Sequence, residues 1–519
     1  MTGRVKARCV AGLRDERGAT AVFFAVGLLL LAPATMGLID IYMITSQRGQ
    51  LQDALDTATL YVARSSATAP AAIQTAGDSA LRANLKLPTG QVITSSSFVL
   101  EGITIKGRAS ITPPTVGPRL WAQADISAAS DVLRNSNNVE VALVLDTTGS
   151  MSAQMSNLRT AAKDLVDLVV KDQQSPYYTK LALVPYSNSV NVDTYADEVR
   201  GLIRPAVAIS GITKADPAVV TTSVDHNLVD GETVRITGVS GMTALNDKEY
   251  VVANRTARTF QLKSTNTSNT NKYTSGGAAQ CMSEDCALYR VQNANGDSRI
   301  WYPTKCVSER IGTEAYTDAA PGSAPVGRRY YKDTGSDACF TQPIMPLSSN
   351  KTALKAAIDK LDDNGSTAGQ IGLAWGWYMV SPNFGSLFPS ESRGAAYGTR
   401  ELLKVVVLMT DGAFNTPYCK GGVAKNAGSG SGGNDLKINC NATNGDPFTQ
   451  AAQLCTAMQA KGIIIYTVGF NVSSDTQVQN LMRNCATSPE YVYMPNGGAE
   501  LKVAFRAIAQ DINSLRIAK

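Results

Sequence analysis

The segment Val141–Met151 reads VALVLDTTGSM, and its chemistry begins where the apolar run stops. Asp146, Thr148 and Ser150 set a carboxylate and two hydroxyls on alternate residues just past a stretch that reads as a buried strand. In an open parallel sheet, ligands bind outside the carboxyl ends of the strands. A Mg²⁺-type cation takes near-octahedral oxygen ligation and keeps some of its water, so three oxygens from one loop are too few. Two further segments supply more. VVVLMTDG ends another apolar run at Asp411, and DNGSTAGQIGLAWGW sets Thr367 at the start of a helical stretch. Two carboxylates and three hydroxyls, with no nitrogen or sulfur among them, favour Mg²⁺ or Mn²⁺ over zinc. Asp146 and Ser150 also suit the capping of the next helix. Capping leaves Thr367 and Asp411 without a role.

Other chemistries find little support. The chain has one histidine, His226, which disfavours imidazole metal clusters and Ser-His-Asp triads. No GxxxxGK[ST] phosphate loop and no HExxH pair occurs. The formal charge is +5, with no run of Lys or Arg behind it, so there is no electrostatic footprint for nucleic acid. An enzyme would need a nucleophile or base beside the cation, and none is apparent.

The elements that would position these oxygens alternate between strand and helix from about residue 137. VEVALVL, KLALVPYS, LLKVVVLMTDG and GIIIYTVGF read as buried strands, with helices over Met151–Lys171, Thr449–Lys461 and the C-terminal LKVAFRAIAQDINSLRIAK. That alternation predicts an α/β fold with a doubly wound, mainly parallel sheet, laid down in two parts, 137–211 and 348–519. Residues 212–276 interrupt it with alternating Thr/Val-rich stretches, GETVRITGV, KEYVVAN and TFQLKST, which predict a small all-β insert. Residues 277–347 add four cysteines and little periodicity, a segment that disulfides would have to hold. After Asp411 comes a Gly/Asn/Ser-rich loop at the rim of the expected site. It is either a specificity loop or a plain surface loop.

At 519 residues the chain exceeds a single core. Its N-terminus, 1–18, is basic; 19–44 is an almost uncharged run long enough to cross a ~30 Å hydrocarbon core as a helix. The basic flank keeps the N-terminus cytoplasmic and exports the rest. Ala32-Pro33-Ala34 offers a signal-peptidase alternative, against which the apolar pattern continues to Ile44. Residues 45–136 read as a helical stalk followed by short strands. Of nine cysteines, only Cys9 precedes the anchor; the remaining ones lie on the oxidising side, where disulfides form. Cys419–Cys440 would close the rim loop, and Cys455–Cys485, flanking GIIIYTVGF, would tie two helices.

Asp146-x-Thr148-x-Ser150, Thr367 and Asp411 resemble the metal-ion-dependent adhesion site of von Willebrand factor A domains. The resemblance implies that Asp146 holds the metal through water and that Thr148 and Ser150 bind it by their hydroxyls. Thr367 and Asp411 would serve from the second and third loops. It also implies a coordination position left open for a partner's carboxylate. Thr148 stands where many members have Ser. The anchor DERGATAVFFAVGLLLLAPATMGLIDIYMITSQRGQLQDALDTATLYVAR resembles tight-adherence (Tad/Flp) pilus-assembly proteins, and the C-terminal run from LCTAMQAKGIIIYTVGF resembles the A domains of their TadG type. Phe23 stands five residues after Gly18, where pilin-like relatives carry Glu, which argues against prepilin-type cleavage. HNLVDGETVRITGVSGMTALNDKEYVV…TFQL is similar to small barrels of phage-tail proteins and ubiquitin-activating enzymes, and implies no chemistry. The expectation is a single-pass bacterial inner-membrane protein whose exported domain holds a protein partner through Mg²⁺ or Mn²⁺ in pilus assembly or attachment, without nucleic acid or catalysis. A surface adhesin for an external ligand and a metal-indifferent scaffold are the alternatives.

Overall fold

The computed structural model describes residues 16–517 except 66, 68, 102–103, 115–123, 134–136, 333–338 and 340–341. Most of the basic N-terminus, with Cys9, therefore lies outside the described residues. The chain divides into two compact units, one up to residue 136 with 517–519, the other over 137–516.

The first unit starts with a single helix, Glu16–Arg64. It is the one candidate membrane span among the described residues, by length and composition. Phe23, Phe24, Leu29, Leu38 and Tyr42 on its first half are exposed. Farther along the same helix Leu51, Leu55, Ala58 and Val62, spaced by three or four, are buried. They face a second helix, Pro70–Asn84, and a three-stranded antiparallel sheet of Ile93–Glu101, Thr104–Ile111 and Ile126–Leu133. Gly77 is required here, because a Cβ would sit 2.2 Å from the Phe98 ring.

The second unit is built on a six-stranded sheet. Its order is Met345–Ser348, Thr179–Tyr186, Asn138–Asp146, Leu402–Thr410, Ile464–Gly469, Val492–Tyr493. All neighbours run parallel except the first pair, so the expected mainly parallel sheet is present. Alternation along each strand feeds two cores. Val144, Val184, Val406 and Ile465 meet helices Gly369–Val380, Pro447–Ala460 and Thr476–Cys485. Leu143, Leu183, Val407 and Val468 meet Met155–Val169, Lys351–Asp359 and Gly498–Ile517. Burial on both faces is why the strands read as unbroken apolar runs.

The insert is a closed barrel of six strands. Its outer strands, Val207–Ile212 and Ser275–Cys281, reach past the expected 212–276. His226 belongs to its core: Nδ1 accepts from the Leu228 N–H at 3.0 Å, and the ring packs edge-on to Phe260. The cysteine-rich segment departs from expectation. Tyr289–Gln292, Ser298–Ser308 and Gly327–Tyr331 form an antiparallel sheet with a core of Tyr289, Val291, Trp301 and Tyr330, shared with Cys419 and Ile438 of the later loop.

Among the described residues the disulfides are Cys281–Cys286, Cys306–Cys339, Cys419–Cys440 and Cys455–Cys485. The last joins the helices Pro447–Ala460 and Thr476–Cys485. Replacing both Cys455 and Cys485 by Ser is expected to lower the unfolding free energy by about 2–4 kcal/mol, measured by urea melts under oxidising conditions.

A buried carboxylate predicts a pH effect. Glu309 accepts from Gln370 Nε2 at 2.9 Å, from the Tyr418 N–H at 3.0 Å and from Gln450 Nε2 at 3.3 Å. Burial nonetheless pushes its pKa up to about 7, against those three hydrogen bonds. The folded state therefore holds this proton more tightly than the unfolded chain does. Stability due to the group is full below about pH 4.5 and is lost as pH rises through about 7, a change of roughly 3 kcal/mol. Melts of wild type and Glu309→Gln at pH 5.5 and 8 should show a larger decline in wild type than in the variant.

Candidate metal centre

Asp146 is the last residue of its strand, and Asp411 follows directly on Leu402–Thr410. The two strands are parallel neighbours, with Leu145 paired to Met409, so both carboxylates emerge side by side at the carboxyl edge. Asp146 is wholly buried. Its Oδ1 accepts from the Thr148 N–H at 3.0 Å and the Thr148 hydroxyl at 2.6 Å. Its Oδ2 accepts from the Thr410 hydroxyl at 2.8 Å, the Tyr186 hydroxyl at 3.1 Å and the Asp411 N–H at 3.4 Å. The Ser150 hydroxyl donates to Asp411 Oδ1 at 2.8 Å, and Thr148 Oγ1 lies 3.0 Å from Ser150 Oγ. Four of the five sequence-selected residues thus form one continuous cluster.

Thr367 comes to the same edge by its backbone. Its turn is tied to the first loop through Asn364 N–H to Thr147 O (3.0 Å) and Gly149 N–H to Gly365 O (3.1 Å). The buried Thr367 hydroxyl makes no hydrogen bond to the other four. The capping explanation fails locally: a 3₁₀ turn, Gly149–Gln154, separates the loop from Met155–Val169, and neither segment has a side-chain cap.

Three positions escaped sequence reasoning. Tyr186 and Thr410 hold Asp146 Oδ2, fixing the carboxylate from two neighbouring strands. Asn415 joins two loops: its Oδ1 accepts from Thr367 N–H at 3.0 Å, its N–H donates to Thr367 O at 2.9 Å, and its Nδ2 donates to Ser429 O at 2.9 Å. Asn415 lies in the loop after Asp411, but nothing in its local pattern distinguishes it from other loop asparagines.

The electrostatics describe a pocket of excess negative charge. Asp411 is pushed up to about 7 by burial and then by the neighbouring Asp146 charge, against hydrogen bonds from Ser150 and Thr148. Burial likewise raises Asp146, against its several hydrogen bonds. Among the described residues, neither carboxylate has a Lys or Arg ion pair. Two crowded carboxylates flanked by hydroxyls and lacking a soft donor fit a hard divalent cation, whose charge would reverse that repulsion. No imidazole is at hand, because His226 is in the barrel core.

Residues 18–65 match the family described as putative Flp pilus-assembly TadE/G-like. Residues 215–282 match the ubiquitin-activating enzyme E1 FCCH domain. No curated protein matches the chain. Among solved structures, the vWF domain of the type V pili tip protein Mfa5 from Porphyromonas gingivalis is 10% identical, with 74% of this chain and 97% of that one covered and a TM-score of 0.35. The pilus adhesin SpaC from Lactobacillus rhamnosus GG is 12% identical over 83% of this chain and 36% of its own, with a TM-score of 0.33. The adhesive tip pilin GBS104 from Group B Streptococcus agalactiae is 10% identical over 72% of this chain and all of its own, at 0.32. Likeness at this level carries no functional argument, and the fold assignment rests on this chain's own strand order.

Proposed function

We propose that this chain, with its TadE/G-like N-terminal region and von Willebrand factor A-like domain, is a membrane-anchored module that binds a protein partner through a divalent cation in Tad/Flp pilus assembly or attachment. The observation that carries the reading is the continuous cluster of Asp146, Thr148, Ser150 and Asp411, two unneutralised carboxylates bridged by hydroxyls at the carboxyl edge of the sheet. Thr148, Ser150 and Asp411, with Thr367 from the adjoining turn, would hold Mg²⁺ or Mn²⁺, and Asp146 would act from beneath them. The cation supplies a Lewis-acidic positive charge for a partner's carboxylate. The chain's own residues do the positioning: Tyr186 and Thr410 lock Asp146, and Asn415 ties the Thr367 turn to the loop after Asp411. The site is read as one that binds a partner and does not turn over, its Ser150 and Thr148 hydroxyls serving as metal ligands.

The exposed apolar half of Glu16–Arg64 supports anchorage, with the domain on the exported side, where its disulfides persist. The pilus context comes from residues 18–65 alone.

The test is capture by full-length protein in detergent from membrane and pilus fractions, with Mg²⁺ or EDTA, wild type beside Asp146→Ala. Capture that requires both the cation and Asp146 supports the reading. Equal capture in all four conditions would make the chain a metal-indifferent scaffold. No capture by a protein that binds Mn²⁺ would favour an external ligand.

A further inference from the structure

Beside the metal cluster lies a groove of about 260 Å³. Tyr330 and Tyr331 of the strand Gly327–Tyr331 and Val423 and Leu436 of the disulfide-closed loop line it, together with Arg329 and with Asn364 from the turn before Thr367. It shares the 364–366 turn with the first loop of the cluster. The same turn takes the Gly149 N–H on Gly365 O and gives the Asn364 N–H to Thr147 O. The wall at Gly430–Gly432 is narrow backbone: both glycines have positive φ, and a Cβ on Gly430 would press on Asn415 Nδ2 at 3.1 Å. Much of the groove is therefore supplied by the cysteine-rich sheet and the rim loop, segments outside the host sheet.

We infer that this groove seats an extended acidic segment of a protein partner, with a bulky apolar side chain in the groove while a neighbouring Asp or Glu reaches the cation. The inference rests on the metal-dependent reading above and adds to it the specificity element. Three observations select this occupant. The volume is below the ~300–1,000 Å³ of small-molecule pockets, yet suits one or two side chains. Tyr rings and aliphatic groups supply its apolar lining and Arg329 its one cationic side chain, among Asn and Ser groups; Tyr and Arg are the residues enriched at binding hot spots. Its turn is hydrogen-bonded to the metal loop, so groove and cluster are held by one structural element. Arg329 is held in place by its Nε donating to the Tyr418 hydroxyl at 3.1 Å, and contributes charge from the wall.

The probe is a solid-phase library of nonapeptides with a fixed central Asp, offered to full-length protein in detergent with Mg²⁺. Bound sequences should carry a bulky apolar residue at one fixed offset from the Asp and should be released by EDTA. Leu436→Glu, which sets a negative charge in the groove, and Tyr331→Ala, which removes one of its rings, should each weaken the selected peptide about tenfold, near 1.4 kcal/mol. Both should leave Mn²⁺ affinity unchanged, showing that the fold and the cluster are intact. If Mn²⁺ binds but the bound peptides show no offset preference, or both variants bind them as wild type does, the groove inference is overturned and the metal reading stands. Failure of wild type to bind Mn²⁺ overturns both.

Discussion

Exchange of Asp411 for Asn is expected to weaken Mn²⁺ binding by more than about 100-fold while making the metal-free protein more stable. Changes in groups that only orient metal ligands already cost about 10–100-fold in affinity, and Asp411 is proposed as a direct ligand. The amide keeps the side chain's volume and can still accept from the Ser150 hydroxyl, which donates at 2.8 Å in wild type. What it loses is the charge facing Asp146, the second largest cause of Asp411's raised pKa after burial. Relief of that repulsion should add roughly 1–2 kcal/mol to the metal-free fold, typical for a binding site that trades stability for function. Calorimetric titration with Mn²⁺, and melts with and without EDTA, measure both signs. Undiminished Mn²⁺ affinity in Asp411→Asn would falsify the assignment of the site.

The second large effect lies at the opposite end of the same strands. Glu140 and Lys404 pair across parallel neighbours and are both buried. Lys404 Nζ donates to Glu140 Oε2 and, at 2.7 Å, to Val380 O; Glu140 also accepts from the Tyr178 hydroxyl and the Ala395 N–H, each at 3.0 Å. Burial lowers the Lys404 pKa, and Glu140 opposes that shift. Lys404→Met should cost about 3–5 kcal/mol, because it leaves a buried carboxylate without its cation. Adding Glu140→Leu should recover much of that loss, since an apolar pair of similar volume is often as stable as the ion pair. Urea melts of the two variants decide it. A double variant as unstable as Lys404→Met alone would mean that the Tyr178 and Ala395 donors, left unpaired, dominate the cost.

The central strands were legible because burial on both faces leaves nothing polar until the carboxyl edge, and there Asp146 and Asp411 stand out. Tyr186 was not, because its role depends on a cross-strand register that sets it opposite Asp146. Asn415 joins loops that only the folded backbone brings together. The cysteine-rich sheet hid for two reasons. The strand Ser298–Ser308 contains Pro303 and an irregular register up to Val307, which erases its period. Its core is completed by Ile438, more than a hundred residues away, so no local window contains it. The barrel's first strand, VAISGI, was short and continuous with the host domain; its pairing with Val219–Thr222 and Ser275–Cys281 assigns it.

That pairing has a consequence for how the chain is put together. Val207 lies opposite Ala279 and Ala208 opposite Ala278, so the chain enters and leaves the barrel on adjacent strands. Seen from the host, the whole module occupies the footprint of a hairpin turn. The ends are held together by the module's own folding, so the surrounding sheet bears little entropic penalty for the long detour. The barrel is thus a cassette: a short turn joining the residues before Val207 to those after Cys281 would leave the host's strand order untouched, and another small domain with neighbouring termini could be spliced in its place.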